Sequence, residues 1–245
     1  MKNFCSEKKW AAKQQRAQQL GVENFLFTQV ATSLADHLLP LQQSPRTILV
    51  QQPFPIADHF TPAIRAIFPN STIDHHNNAT SAENPYDMVI DAMTLHFHGD
   101  PTPLLIHYAA SLKSGGVFQA ALLGGGHCAL LEQAILRAEL LADSHNPATL
   151  RFFPRHQASD LLTALHQAGF QESIADSDRL TLHYQDYKKL ATDFRRMGLT
   201  NSLIGLANNL GRPHANQLIL NAWQKYNPPP HQLMVEVIYI HAIKK

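Results

Sequence analysis

The sequence predicts an α/β domain with a mostly parallel sheet covered by helices. Three observations carry this expectation. Short apolar runs at Ile48–Val50, Met88–Ile90 and Val117–Leu122 have the length and near-continuity of strands buried on both faces. Helix-length segments with turn signals separate them, and such strand–helix alternation argues a parallel sheet. The chain has 245 residues, 44% of them hydrophobic, which suffices for one sizeable domain.

The elements follow in order. Ser6 to Gln19 read as a polar, basic helix that Gly21 breaks. Val30, Leu34, Leu38 and Leu41 fall on one face of a second helix, and Pro40 and Pro45 bracket its end. RTILVQQPFP, residues 46–55, holds the first strand, and Ala57 to Phe68 form a helix stopped by Pro69–Asn70. STIDHH (71–76) is a second strand, residues 77–85 a polar loop, and YDMVIDA (86–92) a third strand. Pro101 to Lys113 form a helix, and Gly115–Gly116 turn the chain into VFQAALL (117–123). Gly124 to Gly126 lead into a helix bearing Leu130, Leu131, Ala134, Ile135 and Ala138. Gln157 to Ala168 form another, closed by Gly169. FQESIAD (170–176) and RLTLHY (179–184) read as two strand pieces. Asp186 to Met197 and His214 to Tyr226 are helices, and MVEVIYIHAI (234–243) is the final strand. No linker or repeat is visible, so one domain is expected over residues 1–245. It divides into N-terminal helices (1–45), an alternating strand–helix half (46–123), and further helices with C-terminal strands (124–245).

Composition excludes several classes. A net charge of +1 with 16% charged residues predicts no nucleic-acid partner, because phosphate binding needs a concentrated basic surface. Cys5 and Cys128 match no zinc or redox spacing and suggest a reducing compartment. No stretch approaches the ~20 apolar residues of a membrane span, and the basic start lacks a signal-peptide core. Cytoplasmic residence is the expectation, with the mitochondrial matrix as the alternative.

Several segments together carry a resemblance. VATSLADHL (30–38), YDMVIDAMTLHFHGDP (86–101), LKSGGVFQAALLGG (112–125), ASDLLTALHQAGF (158–170), DSDRLTLHY (176–184), LATDFRRMGLTNS (190–202) and VIYIHAIKK (237–245) occur in family order. Taken end to end, the chain resembles the mitochondrial complex I assembly-factor methyltransferases and their bacterial relatives. The malonyl-carrier-protein methyltransferase of biotin synthesis is a more distant cousin. The resemblance implies a Rossmann-like class I methyltransferase fold with an antiparallel C-terminal strand. It also implies S-adenosylmethionine as cofactor and a carboxyl group or protein side chain as substrate. One assembly factor of the family is an arginine hydroxylase.

The cofactor sequence is degenerate. The family's first strand ends in Asp-x-Gly-x-Gly-x-Gly, whose glycines allow close backbone approach and open a helix toward the ligand. Here the place reads Val50-Gln51-Gln52-Pro53-Phe54-Pro55, with no glycine and two prolines that fix φ and remove donors. The loop Gln51 to Pro55 is expected to fill the volume of the cofactor's methionine part. Asp74 is the candidate for the acidic residue that the family places after its second strand to hold the ribose, a loop role being the alternative. Only eleven residues separate Asp74 from Tyr86, too few for a further helix and strand, so one edge βα unit is expected to be lost.

The positional candidates for cofactor binding are thus Gln51, Pro53, Asp74 and Asp91. His96, Gly124 and Gly125 are candidates on the substrate side. Asp91 and His96 stand at the carboxyl end of a parallel strand, where open α/β sheets bind ligands; an Asp turn beside a partly buried His is the alternative. Gly124–Gly126 before a helix could hold an anion or simply turn the chain. His75–His76 and His96-x-His98 lack a second ligand pair, so no metal is expected. The expected function is a methyltransferase-like, non-catalytic binding or assembly factor with a protein partner. The alternative is an active S-adenosylmethionine-dependent methyltransferase, or an enzyme like the arginine hydroxylase, acting on a protein side chain or carboxyl group.

Overall fold

A computed structural model describes residues 7–21, 25–39, 41, 44–52, 57–75, 85–142, 156–199, 220–225, 227 and 230–245. Two N-terminal helices, α1 (Glu7–Leu20) and α2 (Phe25–Leu38), precede the sheet. Strand β1 (Thr47–Gln51) is followed by α3 (Ala57–Ile67), β2 (Thr72–His75) and β3 (Tyr86–Ala92). A 3-10 turn, Leu95–Phe97, leads to α4 (Thr102–Ser111) and β4 (Leu112–Leu123). The rest comprises α5 (Ala129–Ala142), α6 (Ala158–Gln167), β5 (Phe170–Tyr184), α7 (Tyr187–Arg196) and β6 (His231–Lys244).

The six strands lie in the order β2-β1-β3-β4-β6-β5. β2, β1, β3 and β4 are parallel, and β6 runs antiparallel to β4 and β5. Period-two alternation explains why the central strands are apolar throughout. Met88 and Ile90 face one side with Phe60 and Ile64 of α3, Leu26 and Leu34 of α2, Leu131 of α5 and Leu190 of α7. Val89 faces the other side with Leu105 and Tyr108 of α4 and Leu161 and Leu165 of α6. The result is three layers, with the long β6 closing both cores through Val235 and Val237 on one face and Ile238 and Ile240 on the other.

The sheet bears out the expected parallel centre and antiparallel final strand. Two local expectations change. Helix α4 ends at Ser111, two residues early, and Leu112–Gly116 join β4 through an irregular pairing in which Tyr86 faces Leu112 and Met88 faces Val117. The two strand pieces at 170–176 and 179–184 are one continuous strand, β5, with a bulge between Gln171 and Ile174 where Glu172 has φ 50°. An edge strand needs little apolar sequence, so its polar middle resembles a turn. Of the helix expected from His214 to Tyr226, residues 220–225 are described and lie in a helix; the others fall outside the described residues. Among those described, β2 forms one edge of the sheet. The expected loop 77–85 falls outside them except for Pro85.

At the amino ends of the strands one carboxylate joins three of them. Asp87 of β3 accepts hydrogen bonds from the backbone N–H groups of Arg46 and Thr47 (2.8 and 2.9 Å), from the Thr47 hydroxyl (3.1 Å), and from Lys113 Nζ of β4 (2.6 Å). Partial burial alone would raise its pKa, but these donors prevail and hold it at about 2. Because the folded value lies below the ordinary 3.8, the group stabilises the fold above pH 3.8, and that contribution is lost as pH falls toward 2. At neutral pH it amounts to at most about 2 kcal/mol, because solvent screens the exposed Lys113 partner. Replacement by Ala should cost that or more, since two backbone donors lose their acceptor. Urea unfolding of the protein and of Asp87→Ala at pH 7 and near pH 2.5 should show a large difference that shrinks in acid. A difference independent of pH would rule out the charged hydrogen bonds as its source.

Candidate functional site

The parallel strands bring their carboxyl ends together. Gln51 pairs in register with Asp91, and Asp91 with Ala120, so the ends of β1, β3 and β4 form one rim. Ligands of open α/β sheets bind there. On β1 the rim is built from Gln51 and Gln52, both half-buried. The side-chain oxygen of each is buried and accepts no hydrogen bond, while Gln52 Nε2 lies 3.5 Å from the Thr61 hydroxyl of α3. Pro53 lies outside the described residues.

Asp91 is fully buried. One oxygen accepts from the backbone N–H groups of Thr94 (2.9 Å) and Leu95 (3.3 Å). The other accepts from the Thr94 hydroxyl and from Tyr108 Oη of α4 (2.7 Å). Burial pushes the Asp91 pKa up and outweighs these donors, which favour the charged form. Tyr108 is pushed well above its ordinary value by burial and by the adjacent carboxylate. Between them Met93 turns the chain with φ 68°, a conformation that non-glycine residues seldom adopt, and donates its N–H to Ala121 O (2.7 Å). The Asp91 carboxylate therefore shapes the β3–α4 turn and has no exposed surface to offer a ligand directly.

Asp74 is not brought to this rim. It pairs in register with Leu49, two residues before Gln51, which places it about 7 Å below the strand ends. Its carboxylate accepts from Tyr86 Oη at 3.1 Å. The Tyr86 pKa is raised by burial first and by Asp74 second.

His96 sits in the 3-10 turn, fully buried. Three further histidines share its surroundings: His98 of the same turn, His127 after the glycine run, and His156 before α6. His127 and His156 are buried, and the His156 ring meets His98 O at 2.8 Å. Burial depresses the His96 pKa well below its ordinary value, and the other three imidazoles push in the same direction. His156 is lowered by burial, which outweighs the opposing His98 carbonyl, Asp160 and Asp100. His127 stacks on Phe194 of α7 with 6.4 Å between ring centroids, and its Nε2 lies 3.2 Å from Cys128 Sγ. Cys128 is buried and also has positive φ, 54°. Among the described residues no group of three His, Cys, Asp or Glu side chains has the arrangement to hold a metal ion.

Gly124 and Gly125 form the turn at the end of β4. Gly126 N–H donates to Glu236 Oε2 of β6 at 2.5 Å, and Gly124 N–H to Glu236 O at 2.9 Å. A Cβ on Gly124 would stand 2.7 Å from the Glu236 carboxylate, and one on Gly125 only 2.1 Å from Gln157 Nε2. Close approach, more than φ, fixes these glycines. The turn already holds an anion, and that anion is the protein's own. Sequence reasoning missed Glu236, although a lone carboxylate inside MVEVIYI was a visible signal. It also missed His127 and His156, which only the tertiary fold places near His96.

Burial of neutral imidazoles sets a pH dependence. Below pH 6.5 the unfolded chain binds more protons at His96 and His156 than the folded chain does, so stability falls as pH drops through that range. The loss approaches about 1.4 kcal/mol per pH unit for each histidine held neutral. Chemical unfolding between pH 7.5 and 5 should show this slope, and His96→Leu should flatten it. Identical slopes in the two proteins would remove His96 from the account.

Comparison with known proteins follows the same lines. No family model matches the chain. It is 31% identical over 121 residues to the mouse protein "Arginine-hydroxylase NDUFAF5, mitochondrial", a match covering 49% of this chain and 34% of that protein. It is 27% identical over 164 residues to the malonyl-[acyl-carrier protein] O-methyltransferase of Gallionella capsiferriformans, covering 66% of this chain and 54% of that one. The matched segments thus span about a third and about half of these relatives. Among solved structures, a Bacillus halodurans protein assigned as a methyltransferase superposes with TM-score 0.50 at 15% identity, over 87% of this chain and 98% of its own. The YcgJ protein of Bacillus subtilis superposes with TM-score 0.51 at 10% identity, over 87% and 99%. The chain is thus similar in sequence to parts of an arginine hydroxylase and of a carrier-protein methyltransferase, and it has the Rossmann-like fold of solved methyltransferase structures.

Proposed function

We propose that the chain is a methyltransferase-like binding or assembly factor that has lost S-adenosylmethionine binding and works through a protein partner. The observation that carries this reading is the end of β1. Gln51 and Gln52, half-buried at the end of β1, open the glycine-free segment 51–55 that corresponds to the glycine-rich cofactor loop of the resembled family. Further support comes from Asp74, which is turned to Tyr86 below the rim, and from Asp91, whose oxygens are taken by four protein donors. The residues present therefore do not fit the cofactor. On this reading Gln51 and Pro53 close the cofactor side of the rim, and His96, Gly124 and Gly125 line its other side. The chain acts as one domain, and the proposed site of action is the cytoplasm. The mitochondrial relatives favour the matrix as the alternative.

One observation favours a second reading, an active methyltransferase or arginine hydroxylase-like enzyme. The buried, unpartnered oxygens of Gln51 and Gln52 are acceptors in want of a donor, and a ligand ammonium group would supply one. Calorimetric titration with S-adenosylmethionine separates the two. The account expects no heat of binding from the folded protein, and a gain of binding in the variant Gln51→Gly, Pro53→Gly, Pro55→Gly if the loop is the obstacle. Ordinary micromolar affinity in the unaltered protein would establish the second reading instead.

A further inference from the structure

The overall charge of +1 conceals an uneven distribution. Helices α1 and α7 each carry four basic residues against one acidic residue. Together they hold an excess of six positive charges, so the remainder of the chain carries an excess of five negative ones. These helices are remote in sequence but pack against each other. Arg196 Nε of α7 donates to Gly21 O at the end of α1 (2.5 Å), and Gly198 leaves room for the Gln14 side chain of α1. Arg16, Lys188, Lys189 and Arg195 are exposed, and Lys13 and Arg196 half-buried. The fold thus gathers two basic segments, each unremarkable alone, onto one surface.

We propose that this α1–α7 face docks a protein surface rich in Asp and Glu. Charge complementarity supplies the attraction and the steering. Three features favour a protein over other polyanions. Lys189 is already paired at 2.6 Å with the buried Asp193, and the exposed Asp186 caps α7, so the cations of the face are interrupted, which weakens contact with continuous phosphates. The apolar residues of α7, Leu190 and Phe194, are buried, so α7 turns no apolar stripe outward to enter a lipid layer. Leu20 and Phe25, 47% and 38% exposed, flank the α1–α2 junction and offer the apolar contacts of a protein interface. The face also backs onto the candidate site, because the inner side of α7 presents Phe194 to His127. Docking here is independent of whether S-adenosylmethionine binds.

The test uses the full chain at low ionic strength with fluorescein-labelled poly-L-glutamate as the probe. A labelled DNA duplex and vesicles of phosphatidylcholine and phosphatidylglycerol in equal parts serve as the competing polyanions. Poly-L-glutamate should bind by anisotropy and be released by salt. The pair Lys188→Glu and Arg195→Glu should weaken it by about tenfold or more, whereas Arg65→Glu with Arg179→Glu, the same charge change on exposed residues of α3 and β5, should leave it within about twofold. The milder pair Lys188→Gln and Arg195→Gln, checked by its melting curve, serves if charge reversal disturbs α7. Absence of binding, equal weakening by both pairs, or tighter binding of the duplex or the vesicles would overturn the proposal.

Discussion

The carboxylate of Asp91 is the interaction on which the candidate site depends. It stands at the end of the central strand, in full burial, and gathers four donors from the turn and from α4. Burial without those donors would cost several kcal/mol; with them, the side chain fixes the path of the chain out of the sheet. That path includes the left-handed Met93, puts His96 in the interior, and ties α4 to β3 through Tyr108. Asp91 is thus a positioning residue. A ligand reaching the rim would meet what Asp91 arranges and never Asp91 itself.

The neighbouring turn follows the same principle: there too a carboxylate of the chain accepts from backbone N–H. At Gly124–Gly126 the Gly126 N–H donates to the Glu236 carboxylate and the Gly124 N–H to the Glu236 backbone carbonyl, and the three glycines leave room for Glu236 and Gln157. Both turns at the rim are therefore satisfied from within the chain. Around them lie imidazoles that burial keeps neutral. Among the described residues, the rim combines these hydrogen-bond networks with buried side-chain oxygens of Gln51 and Gln52 that accept no hydrogen bond. This pattern fits a surface kept for its shape more readily than one poised for group transfer.

Much of this was legible in the sequence where a single physical requirement fixes the residue type. Strands buried on two faces need continuous apolar runs, so β1, β3 and β4 could be read directly. β5 could not, because an exposed edge tolerates QESIADSDR and leaves no apolar signature. For Asp91 and Asp74 the residue type was informative but the role was not, since a turn anchor and a ligand-binding acid share one chemistry; register and hydrogen-bond partners decide between them. The histidines at 96, 127 and 156 meet only through the tertiary fold, as do the basic helices α1 and α7. A whole-chain charge of +1 averaged that basic surface away.

The most direct test of the account is a crystal structure grown with saturating S-adenosylhomocysteine. The account predicts residues 51–55 lying across the ends of β1 and β3, with the glutamine side chains filling the rim and no ligand density there. Nucleoside density seated on that rim, with Gln51 or Gln52 donating to or accepting from it, would contradict the central claim that this chain has given up its cofactor.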